Sequence, residues 1–297
     1  MTTFSFEFFP PATENGRDNL LAVAKELSVH EPTFMSVTYG AGGSTRERTI
    51  DAVRTLGQHV SVPVAAHLTT VAADAAETHQ LLDTYAEAGV HHLVALRGDG
   101  APAGGSGSVE DAESATGYRT AAELVAGIRG RADGDRWDIS VAAYPEVHPM
   151  ATSPAADLDN LKRKLDAGAD RAITQFFFDP DVFLRFRDRA AAAGITAPIV
   201  PGIMAINSFR GVSRFADRCG TTVPDWLQSQ FAGLDDDPEV HQCVAATVMA
   251  EQCRVLQAEG VDAFHFYTMN RRHLTSATVR SLTLDGMPTH PLATAGR

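Results

Sequence analysis

The sequence predicts an α/β protein folded as a single (β/α)8 barrel, the TIM-barrel architecture. Eight short apolar runs end in polar or glycine residues, helical periodicity fills the segments between them, and no Pro- or Gly-rich linker divides the 297 residues. Strict alternation of strands and helices indicates a parallel sheet with right-handed crossovers. Eight such units in this length suit a closed barrel better than an open doubly wound sheet, so residues 1–297 are expected to form one domain.

The strand candidates are TFSFEFF, FMSVTYG, VPVAAHLT, HHLVALRG, DISVAAYP, RAITQFFF, APIVPGIM and AFHFYTMN. Between them, segments such as DNLLAVAKELSV and RERTIDAVRTLGQ carry apolar residues at three- and four-residue intervals, which predicts amphipathic helices. Before the eighth strand the sequence lengthens into NSFRGVSRFADRCG, PDWLQSQFAG and DPEVHQCVAATVMAEQCRVLQAEG, so extra helices are expected between strands seven and eight. Segment 99–117 is rich in Gly, Ala, Ser and acid and is expected to be a mobile loop.

The composition favours a small-molecule partner. A net charge of −12, from 37 acidic and 25 basic side chains, argues against nucleic acid and against a polybasic membrane contact. There is no apolar run of about 18 residues and no signal-like N-terminus, so a cytoplasmic protein is expected. The only cysteines are Cys219, Cys243 and Cys253, without a CxxC pair, and the histidines show no HxxxH or HExxH spacing. Neither a disulfide framework nor a metal site is therefore expected.

Hydrogen-bonding or ionisable residues stand at the same end of nearly every predicted strand. In such barrels the C-terminal strand ends form one rim that carries the active site. The set comprises Glu7, Thr38, Tyr39, His67, Thr69, Arg97, Asp99, Tyr144, Glu146, His148, Gln175, Tyr267, Asn270 and Arg271. A purely structural interpretation stays open for each of these residues. A lone histidine is often structural, and Arg97 with Asp99 could be a surface salt bridge.

Glu7 and the cluster Lys162, Arg163 and Lys164 each allow two interpretations. Alternation along the first strand places Phe4, Phe6 and Phe8 on one face and Glu7 on the other, which is either solvent or the barrel interior. An ionisable group inside a barrel is costly unless it has a task. The basic cluster is either the solvated face of a helix or a cationic site for a diphosphate.

Nine strings, in order, resemble the bacterial methylenetetrahydrofolate reductases. They are FSFEFFPP, SVTYGAGGSTRERT, HLT, VALRGD, SVAAYPEVHP, NLKRKLDAGADRAITQFFFD, PGIM, GLDDD and FHFYTMNR, and they cover nearly the whole chain. The resemblance implies a barrel that holds FAD at its rim, oxidises NADH or NADPH, and reduces 5,10-methylenetetrahydrofolate to 5-methyltetrahydrofolate for methionine synthesis. A homo-oligomer is also expected.

The resemblance implies roles for individual residues. Glu7 corresponds to the general acid, Asp99 to the carboxylate beside the flavin pyrimidine edge, and Gln175 to a folate-binding amide. The positions implied around FAD are Thr38, Tyr39, Ala41, His67, Arg97, Gly98, Asp99, Tyr144, His148, Ala151, Asp157, Asn160, Arg163 and Lys164. Phe183, Phe215 and Arg271 are implied to contact substrate together with Gln175, although Phe183 stands where a tyrosine is common in the family.

The implied reaction sets requirements on these side chains. Hydride reaches the bridging methylene only after N10 is protonated and the ring opens, so an acid is needed. Desolvation among aromatic neighbours is expected to raise the pKa of Glu7 toward the working pH. Asp99 is expected to lower the flavin midpoint potential, and stacking of both reactants on one flavin face suggests a ping-pong sequence.

Three rival functions stay open at this point. The same reduction could proceed without flavin, by direct hydride transfer from NADH to the folate. The chain could instead be a flavin barrel that oxidises a small amino acid such as proline, or a folate or flavin sensor without catalysis.

Overall fold

A computed structural model of the chain describes residues 2–39, 46–70, 74–97 and 117–284. Within these ranges eight parallel strands form a closed barrel, in which each strand pairs with the next and β1 pairs with β8. The strands are β1 (Thr3–Phe8), β2 (Phe34–Val37), β3 (Val64–Thr69), β4 (His92–Leu96), β5 (Asp138–Ala143), β6 (Arg171–Phe176), β7 (Ile199–Met204) and β8 (Ala263–Tyr267). The predicted (β/α)8 barrel is confirmed.

Helices surround the barrel and connect its strands. They are α1 (Glu14–Ser28), α2 (Arg46–His59), α3 (Ala75–Glu87), α4 (Ala121–Arg129), α5 (Pro154–Asp166), α6 (Pro180–Ala192), α7 (Phe209–Cys219), α8 (Asp225–Phe231), α9 (Pro238–Ala258) and α10 (His273–Leu284). Helices α7, α8 and α9 all lie between β7 and β8, where a simple unit has one helix. Helix α10 follows β8 and completes the eighth unit, for which the sequence analysis named no segment. The predicted loop 99–117 lies, except for Gly117, outside the described residues.

Local signals in the sequence start several of these helices. The Thr13 side chain accepts a hydrogen bond from the third residue of α1, and the Ser153 side chain does the same for α5, which has a proline in its first turn. Asp74 and Glu77 form a reciprocal capping box at the start of α3. These caps give hydrogen-bond partners to backbone amides that the first turn of a helix leaves without one. They therefore determine at which residue each of these helices begins.

Strand residues alternate between two cores. Phe4, Phe6 and Phe8 of β1 are buried in the main core with residues of the surrounding helices. A separate small cluster, which includes Phe34 and Ile173, fills the barrel interior. The face of β1 that carries Ser5 and Glu7 therefore points into the barrel, which settles the choice that the sequence left open.

The N-terminal end of the barrel is closed by charged side chains. Arg171 and Asp138, the first residues of β6 and β5, form a two-pronged ion pair, and His92 Nδ1 of β4 lies 3.7 Å from Asp138 Oδ2. The Arg171 guanidinium also lies 5.9 Å from the centre of the Phe34 ring. This group stabilises the closed end, so the rim at the opposite end is where a ligand can enter.

Candidate active site

Glu7 lies between two histidines inside the barrel. Its Oε2 atom is 3.1 Å from His67 Nε2 on β3 and 3.4 Å from His265 Nε2 on β8. On the far side of His265, Ser5 Oγ is 2.7 Å from Nδ1. His265 is fully buried, whereas 12% of the Glu7 side chain stays exposed. The cluster of Ser5, Glu7, His67 and His265 thus presents one carboxyl group to the rim.

The expected rise in the pKa of Glu7 is wrong for this structure. Burial does raise the pKa, but the charge of His67 and the hydrogen bonds of His265 and His67 outweigh it and lower the pKa to about 2. The prediction counted aromatic neighbours, and those phenylalanines lie on the other face of β1. What faces Glu7 is a pair of imidazoles, and they stabilise its anion.

The end of β1 is fixed to the turn after β8. The Glu7 carbonyl accepts hydrogen bonds from the Thr268 amide (3.2 Å) and hydroxyl (2.7 Å). The Asn270 side chain bonds both backbone groups of Phe9, at 2.8 and 2.9 Å. Met269 and Asn270 adopt left-handed φ values of 55° and 54°, which Asn tolerates and Met rarely adopts. This strained turn holds the strand that carries Glu7.

The rim between β4 and α5 is built around the loop after β5. His148 donates its backbone N–H to Asp157 on α5 (2.9 Å), its ring packs edge-on against Tyr144, and its carbonyl accepts from the Ala151 amide. Arg97 is exposed at the end of β4, with Nη2 3.1 Å from the Met150 sulfur. Thr38 and Tyr39 follow β2, and burial raises the pKa of the half-buried Tyr39. The predicted residues Ala41, Gly98 and Asp99 lie outside the described residues.

Lys164 is the buried member of the basic cluster on α5. It is 8% exposed, and its ammonium group donates to the carbonyl of Ala142 on β5. Burial, partly offset by Asp157, lowers the pKa of Lys164 to about 8. Arg163 is exposed, and Lys162 pairs with Asp166 at 2.9 Å on the solvent side. The interpretation as a solvated face is therefore wrong for Lys164, which lies with Asp157 and Asn160 at a spacing that shares one helix face.

An aromatic group borders the opposite side of the rim. Phe215 of α7 stacks on Phe176 with ring centres 5.5 Å apart, and the Arg218 guanidinium covers it at 5.4 Å. The Gln175 side-chain oxygen accepts from the Phe176 amide at 3.0 Å. Tyr267 donates its hydroxyl to the Thr174 carbonyl at 2.7 Å. The amide of Gln175 and the ring of Phe215 therefore approach the rim from neighbouring elements.

Two predicted substrate contacts lie apart from this group. Phe183 is fully buried on α6, stacks on Phe177 at 5.4 Å, and lines a cavity with Ile199 and Ala263, the first residues of β7 and β8. Arg271 is exposed just after β8. Their contacts with substrate stay predictions.

Sequence reasoning missed Ser5 and His265. Both could have been inferred from the alternation of side chains along a strand, because AFHFY on β8 alternates phenylalanine and polar residues as TFSFEF on β1 does. The register pairs Ser5 with His265 and Glu7 with Tyr267, so the polar residues of the two strands share the interior face.

The family model of methylenetetrahydrofolate reductase matches residues 1–283. This chain belongs to the methylenetetrahydrofolate reductase family. It is 44% identical over 278 residues to "5,10-methylenetetrahydrofolate reductase" of Pectobacterium carotovorum subsp. carotovorum, covering 94% of this chain and 89% of that protein. Family membership identifies it as an oxidoreductase and agrees with the predicted resemblance.

Two further comparisons place the chain more widely. A "Probable methylenetetrahydrofolate reductase (NADH)" of Oryza sativa subsp. japonica is 38% identical over 278 residues, which cover 91% of this chain and 46% of that protein. A solved structure of an uncharacterised Clostridium thermocellum protein, described as binding two copies of 5-methyl-5,6,7,8-tetrahydrofolic acid, superposes with a TM-score of 0.61 at 11% identity. It covers 94% of this chain and 93% of its own, and shows the shared barrel fold.

The described residues contain neither a candidate metal site nor a helix that could span a membrane. No group of three or more His, Cys, Asp or Glu side chains there is placed to hold a metal ion. Among the helices of the same ranges, none combines the length and apolar content needed to cross a bilayer.

Proposed function

We propose that this chain reduces 5,10-methylenetetrahydrofolate to 5-methyltetrahydrofolate, with NADH or NADPH as hydride donor and FAD as bound carrier, and that it supplies methyl groups for methionine synthesis. The observation that carries the proposal is Glu7, a partly exposed carboxyl group held by two imidazoles inside the rim of a barrel of this family. The description of the rice relative as an NADH enzyme supports the choice of nicotinamide.

The rim beside β4, β5 and α5 fits an anionic dinucleotide. Arg97 is exposed at the end of β4 and Arg163 is exposed on α5, where Lys164 is buried, in a chain of net charge −12. Cations gathered on adjoining elements of an acidic protein favour a diphosphate ligand. When bound, FAD would accept hydride from the nicotinamide and deliver it to the folate. The proposed contacts are Thr38, Tyr39, Ala41, His67, Arg97, Gly98, Asp99, Tyr144, His148, Ala151, Asp157, Asn160, Arg163 and Lys164.

Glu7 is proposed to give the proton that N10 of the folate requires. With a pKa of about 2 it is an anion at neutral pH, so it must first gain a proton. A substrate that covers the site removes water, which disfavours the carboxylate and favours uptake of a proton by Glu7. The proton, taken from solvent, then passes from Glu7 Oε2 to N10 and leaves Glu7 as the carboxylate.

Gln175 and Phe215 are proposed to bind the pterin, and Arg271 to contact the rest of the substrate. The amide supplies both a donor and an acceptor for the pterin edge, and the ring supplies a flat apolar surface. Asp99 is proposed to favour the cationic iminium form of the folate. Because both reactants would use one binding surface, we propose that they bind in turn, in a ping-pong sequence.

The test is an anaerobic titration of the protein as purified. We expect a yellow protein whose flavin absorbance is bleached by NADH or NADPH and restored by methylenetetrahydrofolate, with 5-methyltetrahydrofolate as product. A colourless protein that still forms this product would instead indicate direct hydride transfer. Bleaching by proline without turnover of folate would indicate an amino-acid dehydrogenase, and binding without any turnover would indicate a sensor.

Lys164→Met is expected to loosen FAD about 10- to 100-fold, because charge-assisted hydrogen bonds contribute about 1.5–3 kcal/mol. The measurement is the fraction of flavin that stays bound after serial dilution and gel filtration. Lys162→Met is the matched control, since Lys162 lies on the same helix but pairs with Asp166 in solvent. Equal retention of flavin in both variants would remove Lys164 from the cofactor site.

A further inference from the structure

Strand β6 carries one extra residue where it pairs with β7. From Ile173 to Phe176 is three steps along β6, but the matching part of β7 has only two. Such a β-bulge bends a strand and re-aims its side chains, and bulges are common next to active sites. Gln175, a proposed contact of the folate, is one of the two residues inside the bulge. The other is Thr174, to which the proposed function gives no role.

The side chain of Thr174 closes the bulge against β7. Thr174 is fully buried, and its hydroxyl oxygen accepts a hydrogen bond from the Gly202 amide at 2.9 Å. Its carbonyl accepts the hydroxyl of Tyr267 at 2.7 Å. An extra residue disrupts the backbone hydrogen bonds between two strands, and a buried amide without an acceptor is costly. The Thr174 hydroxyl therefore supplies an acceptor at the point where the bulge interrupts the pairing.

Two distant side chains hold the backbone that follows the bulge. Thr221, in the loop after α7, donates its hydroxyl to the Phe176 carbonyl at 3.1 Å. Gln252 of α9 donates its side-chain amide to the Phe177 carbonyl at 2.7 Å. Both side chains are buried. The backbone is thus held by side-chain hydrogen bonds on both sides of Gln175.

The side-chain amide of Gln175 has a defined orientation within this frame. Its oxygen accepts the Phe176 amide at 3.0 Å. Because only the oxygen of a side-chain amide can accept, the NH2 group is the end directed away from that backbone amide. This group can donate to a ligand at the rim. Its position depends on the backbone of the bulge, from which the side chain extends.

We propose that Thr174 is a positioning residue for Gln175: its hydroxyl keeps the bulge of β6 closed against β7, and the closed bulge directs the Gln175 amide to the ligand. That this ligand is a folate rests on the proposed function. Without the hydroxyl, the Gly202 amide loses its acceptor, and β6 must shift or open locally to let water replace it. Gln175 moves with this backbone, so folate binding weakens although every proposed folate contact keeps its side chain.

The first test follows the Gly202 amide and needs no ligand. Pro201–Gly202 is the only Pro–Gly pair in the sequence, so NMR with ¹³C-carbonyl proline and ¹⁵N-glycine selects its signal. We expect this amide to exchange with deuterium about tenfold faster in Thr174→Val, which keeps the shape of the side chain but not the hydroxyl. In Thr174→Ser, which keeps the hydroxyl, the rate should be that of the unaltered protein.

Thr78→Val is the matched control for the loss of a buried hydroxyl. Thr78 is a buried residue of α3, and its hydroxyl donates to the Asp74 carbonyl at 2.9 Å, away from β6 and β7. This variant should leave the exchange of the Gly202 amide unchanged. An unchanged rate in Thr174→Val, or equal acceleration in Thr78→Val, would overturn the proposal.

The second test measures the binding of 5-methyltetrahydrofolate, the proposed product, by calorimetry. Thr174→Val is expected to raise its dissociation constant about tenfold, whereas Thr174→Ser and Thr78→Val should bind as the unaltered protein does. A purely structural role would lower the melting temperature without changing this constant. In a Gln175→Ala background, Thr174→Val should cause no further loss, because its effect is carried by Gln175.

The outcomes separate this proposal from the proposed function. Unchanged binding in Thr174→Val, or an equal further loss in the Gln175→Ala background, would contradict the positioning role. If the unaltered protein does not bind the folate, the proposed function fails instead. The exchange of the Gly202 amide then decides whether Thr174 holds the bulge closed.

Discussion

Under the proposed function, Glu7→Gln is expected to lower the folate-dependent rate by about 10²–10⁴-fold while the protein keeps its fold, the proposed FAD and the proposed reaction with NADH. The glutamine carbonyl can take the place of the carboxylate oxygen beside the Nε2 atoms of His67 and His265, so the surroundings change little. Its amide, however, has no proton to give to N10 at neutral pH. Only the step that needs this proton should therefore slow.

Stopped-flow measurement of the two steps separately checks this expectation. Flavin bleaching by NADH reports the first step, and its recovery with methylenetetrahydrofolate reports the second. Glu146→Gln is the control, since Glu146 is another carboxylate after β5 that accepts from the Thr222 amide at 2.8 Å rather than facing the barrel interior. If Glu7→Gln slowed both steps equally, Glu7 would have a structural role and another group would supply the proton.

The barrel could be predicted because its strands carry their own signal. Each interior strand is a short apolar run with a defined end, and eight such runs allow few topologies. The segment that forms α10 was not named, for a physical reason. Its buried stripe is Leu274, Thr275, Thr278, Val279 and Leu282, and the two threonines dilute the apolar pattern although the helical spacing is regular.

The protonation of Glu7 could not be predicted in the same way. Alternation shows which face Glu7 occupies but not what lies opposite, and His265 is 258 positions away in the chain. Burial and neighbouring charges act on a pKa in opposite directions, so the sign of the shift depends on contacts that form only when β1, β3 and β8 meet. Lys164 is a similar case, since the sequence does not show that its ammonium group meets the carbonyl of Ala142 on β5.

There is no space for a side chain at Gly202 of β7. The absence of one allows the Tyr267 ring to lie close to the backbone of β6 and β7. A Cβ atom at this position would lie 2.2 Å from the carbonyl oxygen of Thr174 and 2.5 Å from a carbon of the Tyr267 ring. The carbonyl belongs to the paired strand β6 and cannot move alone. The ring cannot rotate away without losing the hydrogen bond from its hydroxyl to the same carbonyl.

Gly202→Ala is therefore expected to lower the free energy of unfolding by about 1–3 kcal/mol or more, as overpacking of a tight core does. Urea unfolding followed by circular dichroism measures the change. Gly57→Ala is the control: Gly57 lies exposed in α2 with nothing within 4 Å of the added methyl group, so alanine should stabilise the helix by about 0.5–1 kcal/mol. The displaced Tyr267 ring packs on His265, so the variant should also slow the folate-dependent step. Unchanged stability of Gly202→Ala would show that β6 and β7 yield at this point, and that the position of Tyr267 does not depend on a glycine.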